Sequence, residues 1–293
     1  MELSIFKRNY YCLVAGLPNL MIDGIRLPET SIAFKNELQE QLHPSDYNLV
    51  VLLYLDYDNK NILNLILNRE STHFPLAIYP SEYLEEQIKE PSSIEGYLKR
   101  FILMFNDESF DKSELNSEQH LLRFYYSYVL QTKNSFLKQW FTFYRDMKNI
   151  LTAVNCRKFG YDIEKQLIPS GDENEVYEIL LKGVPKPETL ADEVPFVDRI
   201  LNIAESEISI SEKEKALDNL KWAFLDENTF FHYFTIEKII SFVIKLNMVE
   251  RWLSLDNETG KALFERLIND IKSNYKFTDE FSVKKENTNK LRI

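Results

Sequence analysis

Between Phe136 and Val154, large apolar side chains recur at Phe136, Trp140, Phe143, Met147, Ile150 and Val154, alternating spacings of four and three that place them on one stripe of a helix. Leu137, Phe141, Tyr144 and Leu151 form a second stripe beside it. A helix apolar over this much of its circumference belongs between neighbours, so the pattern predicts the interior of a helical bundle, with an aromatic cofactor box as the competing reading. A second long helix is predicted just upstream, between the polar, acidic stretch Asn106 to Ser117 and a short Lys133-Asn134-Ser135 joint.

Similar periodicity covers most of the chain. Ile32, Phe34, Leu38 and Leu42 predict a short amphipathic helix from Ser31, and Pro44 opens the next, which runs to about Asp56. Asp58-Asn59 breaks that pattern before Ile62, Leu63, Leu65, Ile66 and Leu67 resume it. Pro75, Pro80 and Pro91 cut the following stretch into short helices, with starts at Ser81-Glu82 and Ser93-Ile94-Glu95. Pro169-Ser170-Gly171 predicts a turn, Asn174 to Lys182 a short helix, and Gly183-Val184-Pro185-Lys186-Pro187 a linker.

Pro195 opens a helix through Val197, Ile200, Leu201 and Ala204. Ser211 and Glu214 have the spacing of a capping box ahead of the helix that carries Ala216 to Phe224. Thr235 to Lys238 starts a long helix through Val249, a last helix runs from about Thr259 to Tyr275, and residues 279–293 form a polar, flexible tail made mildly basic by Lys284, Lys285, Lys290 and Arg292. Only the opening, Asn9 to Pro18, is ambiguous: it reads either as a short strand or as a buried apolar arm ended by Gly16 and Pro18. The expected fold is therefore all-α, a single helical domain over residues 1–278 with a short extended N-terminal segment.

Composition sharpens this. Only 7 glycines occur in 293 residues, which leaves little material for phosphate loops or tight hairpins, while 20 Phe and 16 Tyr supply bulky core. A net charge of -11 argues against nucleic acid as a partner, because a phosphate-tracking surface needs an excess of cations. Cys12 and Cys156 lack metal or disulfide spacing and read as two buried thiols in a reducing, cytoplasmic compartment. The opening residues lack a secretory pattern, and the apolar stretch Leu49 to Tyr57 is too short for a membrane span, so membrane association is expected only through a partner.

Signatures of chemistry fail one by one. A phosphate loop ending at Gly260-Lys261 would need glycine where Leu255 stands, and no glycines cluster as a dinucleotide fingerprint requires. Asp56-Tyr57-Asp58 begins like a calcium loop, but Lys60 occupies a ligand position, Asn61 the turn glycine and Leu67 the closing Glu, so a helix boundary accounts for these carboxylates better. His43, His73, His120 and His232 are scattered, and neither cysteine has a local base. No residue is singled out as catalytic, cofactor-binding or metal-ligating, and no cofactor is expected.

One internal echo stands out. Asp56 to Leu63 and Asp146 to Leu151 share an aspartate followed by Lys-Asn-Ile-Leu, and each is preceded by a tyrosine, Tyr54 or Tyr144, which points to duplication of a helical unit.

Three segments carry a family resemblance. The opening Asn9-Tyr10-Tyr11-Cys12-Leu13-Val14-Ala15-Gly16-Leu17-Pro18, the helix motif Asp146, Asn149-Ile150, Arg157-Lys158 and Gly160, and the segment Phe230 to Ile240 are similar to a bacterial family associated with V-type ATPases and distantly related to the C/d subunits of those machines. The resemblance implies a funnel of three helical units, near residues 1–112, 113–184 and 185–278. It implies a non-enzymatic coupling subunit of a V-type rotary ATPase in H+ or Na+ transport, peripheral to the inner membrane. Its partners would be the central-stalk subunits and the membrane proteolipid ring. The competing readings are a generic helical adaptor and, last, an enzyme with a convergent site.

Overall fold

A computed structural model describes residues 8–22, 27–70, 72–169, 175–183 and 186–274, with the helix backbone alone from residue 256 onward. The chain is 70 % helical with no strand among the described residues, so the all-helical expectation holds. In chain order the helices are α1 (Tyr11–Gly16), α2 (Ser31–Gln41), α3 (Pro44–Ile66), α4 (Ser81–Lys89), α5 (Gly96–Asn106), α6 (Glu114–Val129) and α7 (Ser135–Phe159). There follow α8 (Ile163–Gln166), α9 (Glu175–Lys182), α10 (Pro187–Leu190), α11 (Val197–Glu205), α12 (Ile210–Thr229) and α13 (Ile236–Asn274).

Helix α7 is the centre of the bundle and packs on α6, α8, α9, α11 and α12. Every residue of its first predicted stripe, Phe136 to Val154, is buried. Phe143 lies parallel to Phe224 of α12 with ring centroids 4.2 Å apart, and Trp140 reaches the same ring at 6.0 Å. Apolar residues from α1 to α13 join one continuous core. Asn134 starts α7 by accepting a hydrogen bond from the Leu137 N–H at 2.9 Å, and Gly160 ends it in the left-handed conformation, φ 71°, that glycine adopts without strain.

Four expectations require correction. The N-terminal segment is neither strand nor extended arm but the short helix α1, in which Leu13 alone is buried; Cys12 is accordingly exposed, while Cys156 is buried. Helix α3 does not stop near Asp56: it continues through Asp58-Asn59 to Ile66. Those polar residues read as breakers because Asp and Asn commonly bond their own backbone, but here their side chains are buried and bond other segments.

The capping box lies two residues earlier than predicted, with Ser209 Oγ accepting from the Glu212 N–H at 3.2 Å and Glu212 accepting from the Ser209 N–H at 2.9 Å. The two predicted C-terminal helices are one, α13, of 39 residues. Asn257 and Gly260 lie inside it; unlike proline, neither removes a backbone donor, and glycine in a helix interior costs only about 1 kcal/mol. The predicted turn at Pro169-Ser170-Gly171, the middle of the linker at Val184-Pro185 and the polar tail fall wholly or partly outside the described residues.

Candidate functional site

The sequence echo has a structural counterpart. After α3 the chain returns without regular structure through Phe74 to Tyr79, and its backbone groups must find partners away from water. Polar side chains of α2 and α3 supply them. Asn61 accepts from the Phe74 N–H at 2.8 Å and directs its amide at the Phe74 carbonyl, 3.4 Å away. Asp58 Oδ1 accepts from the Ile78 and Tyr79 N–H groups at 3.1 and 2.9 Å, and Lys35 donates to the carbonyls of Leu76 and Ala77 at 2.9 and 2.5 Å.

After α7 the same device recurs. Asn149 accepts from the Ile168 N–H at 2.9 Å and donates to the Ile168 carbonyl at 2.8 Å. The two asparagines of Lys-Asn-Ile-Leu are thus equivalent: each, buried on a long helix, grips the backbone N–H and carbonyl of one residue in the segment returning along it. The calcium-loop resemblance dissolves here, since Asp58 faces backbone amides. Among the described residues no group of three or more His, Cys, Asp or Glu side chains is placed to hold a metal ion.

Burial pushes the Asp58 carboxyl up to about 6, against the backbone hydrogen bonds and Lys35, which pull it down. The folded chain therefore takes up a proton between about pH 6 and pH 4 that the unfolded chain binds only near pH 4, so this group stabilises the fold progressively as pH falls through that window. Urea unfolding of the parent and of Asp58→Asn at pH 7 and pH 4.5 checks this. The parent should gain on the variant at the lower pH, and a difference independent of pH would refute it.

Where α3, α6, α7, α12 and α13 meet, the bundle opens into a charged, aromatic-walled cavity of about 290 Å³. Lys60, Lys221 and Arg251 line it, with Asp56, Glu214 and Asp218 and with Tyr57, Tyr126, Trp140 and Tyr144. A neighbouring cavity of about 350 Å³ shares Asp56, Lys60 and Tyr144 and adds Lys148. Helical spacing builds the cluster: Asp56 and Lys60 are one turn apart and bridge at 2.7 Å, and Trp140, Tyr144 and Lys148 rise in successive turns of α7, the first two rings stacked at 5.6 Å.

Asp218, buried on α12, ties that helix to α13. It accepts from Lys221 at 2.8 Å, from the Trp252 indole N–H at 2.8 Å and from the Arg251 guanidinium. Burial would raise its carboxyl, but Lys221 and Arg251 outweigh that and hold it below the usual carboxylate range.

Tyr144 sits between ammonium groups. Lys148 Nζ lies 4.6 Å and Lys221 Nζ 5.2 Å from its ring centroid. Lys148 in particular holds the Tyr144 phenol below its ordinary value, against the opposing effect of burial, and Lys221 adds to the pull. Burial disfavours the Lys148 charge, yet Tyr126, Tyr144 and Asp56 more than offset it and the ammonium is held above its ordinary range. No carboxylate lies within ion-pair distance of Lys148 among the described residues. None of these positions was assigned a binding role from sequence: Trp140 and Tyr144 read as core stripes of a helix, and Asp56 and Lys60 as parts of a rejected calcium loop and of the internal echo.

At one end of the bundle the α12–α13 joint forms an exposed aromatic surface. Phe230, Phe231 and Tyr233 are 67 %, 80 % and 63 % exposed, and Tyr11 of α1, 58 % exposed, packs its ring 4.8 Å from that of Phe234. The joint is held in place: the Tyr10 N–H donates to the Phe234 carbonyl at 2.7 Å, and Asn134 from the α6–α7 joint donates to Glu237 at 3.3 Å. Exposed aromatics concentrated on one anchored edge are characteristic of protein-binding surfaces.

Fold and surfaces together define an all-helical protein with an internally repeated clamp, an aromatic end and a charged interior cavity. The chain belongs to the family described as Protein of unknown function (DUF2764), whose model matches residues 7–275. Comparison with curated proteins and with solved structures gives no match.

Proposed function

We propose that the chain is a non-catalytic component of a V-type rotary ATPase, coupling the central stalk to the membrane proteolipid ring. The observation that carries this reading is the repeated clamp, Asn61 on Phe74 and Asn149 on Ile168, at the two copies of the Lys-Asn-Ile-Leu echo. A body made from repeated helical units, each locked to its own return segment, suits a part that passes torque without deforming. The continuous aromatic core supports the same role, and the aromatic end around Phe231 and Tyr233 is the face on which a neighbouring protein of the complex would seat. The helices contain no span long and apolar enough to cross a membrane among the described residues, so the ring would be reached from its cytoplasmic side through protein contacts.

Affinity purification of the full chain from its own cells under mild detergent tests this. Recovery of V-type ATPase stalk and ring proteins is expected, with a marked loss for the doubly substituted Phe231→Ser, Tyr233→Ser chain, whose exposed positions leave folding intact. Recovery of helical partners unrelated to a rotary ATPase would instead favour the adaptor reading.

A further inference from the structure

The charged cavity is not needed by a mechanical coupler, and its composition is specific. In a chain of net charge -11, the two adjoining cavities that share Tyr144 are lined by five cations, Lys60, Arg69, Lys148, Lys221 and Arg251, against four carboxylates, Asp56, Glu118, Glu214 and Asp218. Asp56 is engaged by Lys60, Asp218 by Lys221 and Arg251, Glu214 by Arg251 at 3.4 Å and Glu118 by Arg69, which leaves Lys148 with aromatic rings and a phenol in place of a paired carboxylate. Ammonium groups brought together in a partly buried place repel one another unless an anion joins them. Asn247 of α13 adds a further group: its side-chain oxygen is buried in the cavity wall and has no hydrogen-bond partner among the described residues, an acceptor suited to a hydroxyl.

We propose that this cavity, together with the adjoining one that Lys148 lines, binds a small phosphorylated ligand, its phosphate drawn in among Lys60, Lys148 and Lys221 and a hydroxyl-bearing remainder placed against Tyr57, Tyr144 and Asn247. The chemistry follows from the wall. A phosphate dianion satisfies several ammonium donors at once through charge-assisted hydrogen bonds, and the ring faces of Tyr57 and Tyr144 accept a flat or sugar-like group. Volumes of about 290 and 350 Å³ in the two cavities are at the small end of ligand sites and suit a small phosphate ester. Occupation would brace α3, α7, α12 and α13 against one another, so the ligand would stabilise the bundle as it binds. Binding here does not depend on the coupling role, because the cavity and the exposed aromatic end are different parts of the molecule.

Isothermal titration of the full chain with adenosine monophosphate, inorganic phosphate and adenosine, each in a chloride background, tests it. Saturable binding of a phosphate-bearing probe is expected, with adenosine inert. Lys148→Met and Lys221→Met should each weaken it about tenfold, whereas Lys148→Arg should retain it. Tighter binding of the nucleotide than of inorganic phosphate is expected from the contacts of its remainder, and equal affinities overturn the placement of a hydroxyl-bearing group in the cavity. Should a buried-lysine variant unfold, Lys60→Met provides the same test, because its side chain is 46 % exposed and methionine keeps most of its length over the Tyr57 ring. No saturable binding of either phosphate probe up to about 10 mM, or binding that the lysine variants leave unaltered, overturns the proposal.

Discussion

Replacing Asn149 by alanine is expected to destabilise the fold by about 2–4 kcal/mol, a loss out of proportion to the few atoms removed. The side chain serves both backbone polar groups of one buried residue, accepting from the Ile168 N–H and donating to the Ile168 carbonyl, and alanine leaves both groups in an apolar interior without water to replace it. Ile168 is 4 % exposed, so the segment cannot simply turn these backbone groups outward without withdrawing that side chain from the core. The cost is therefore the desolvation of two stranded groups, and for a domain of this size it corresponds to a melting temperature lower by roughly 3–7 °C. Asn61→Ala, which strips the equivalent grip from Phe74, should behave in the same direction, and the two losses should add because the clamps share no partner. Urea denaturation of the two single variants and the double variant measures this; a change below about 0.5 kcal/mol at Asn149 would show that the return segment is held by packing alone.

A comparable loss, about 3–5 kcal/mol, is expected for Asp218→Ala. Its carboxylate is 1 % exposed and is the shared acceptor for Lys221, Arg251 and Trp252, so truncation leaves a largely buried ammonium and an indole N–H unpaired at the α12–α13 seam. Arg251, being 45 % exposed, can turn to solvent and accounts for little of the effect. The sign of the pH dependence is opposite to that at Asp58. A carboxyl held below its unfolded value contributes stability that is present above about pH 4 and is lost as pH falls through the lower folded value. The advantage of the parent over Asp218→Asn should accordingly shrink between pH 5 and pH 3 by chemical denaturation, and an advantage unchanged over that range would show that the bridge to Lys221 and Arg251 is not the source of its stability.

How much was legible beforehand varied with the kind of residue. Apolar periodicity located α7 and its buried stripe because 3.6-residue spacing and burial are the same fact seen twice: any helix carrying Phe136, Trp140, Phe143 and Met147 on one side must hide them. Polar residues were another matter. Asp58, Asn59 and Asn61 have the composition of a helix end, and a local reading cannot distinguish a side chain that caps its own helix from one that serves a stretch of backbone returning many residues later. The charged cavity was hidden for a related reason. Lys60, Lys148, Lys221 and Arg251 each look like one more solvated cation on a separate helix, and only the packing of α3, α7, α12 and α13 brings them together around Tyr144.

By itself, then, the amino-acid sequence determined the helical class, the central helix and the existence of a repeated Lys-Asn-Ile-Leu unit, since these depend on spacing along the chain. What the repeated asparagines hold, why α3 and α13 run on through apparent breaks, and which charges converge were decided only by the tertiary structure. Hydrogen-bond partners and electrostatic neighbours are properties of distance in space, and distance along the chain does not encode them.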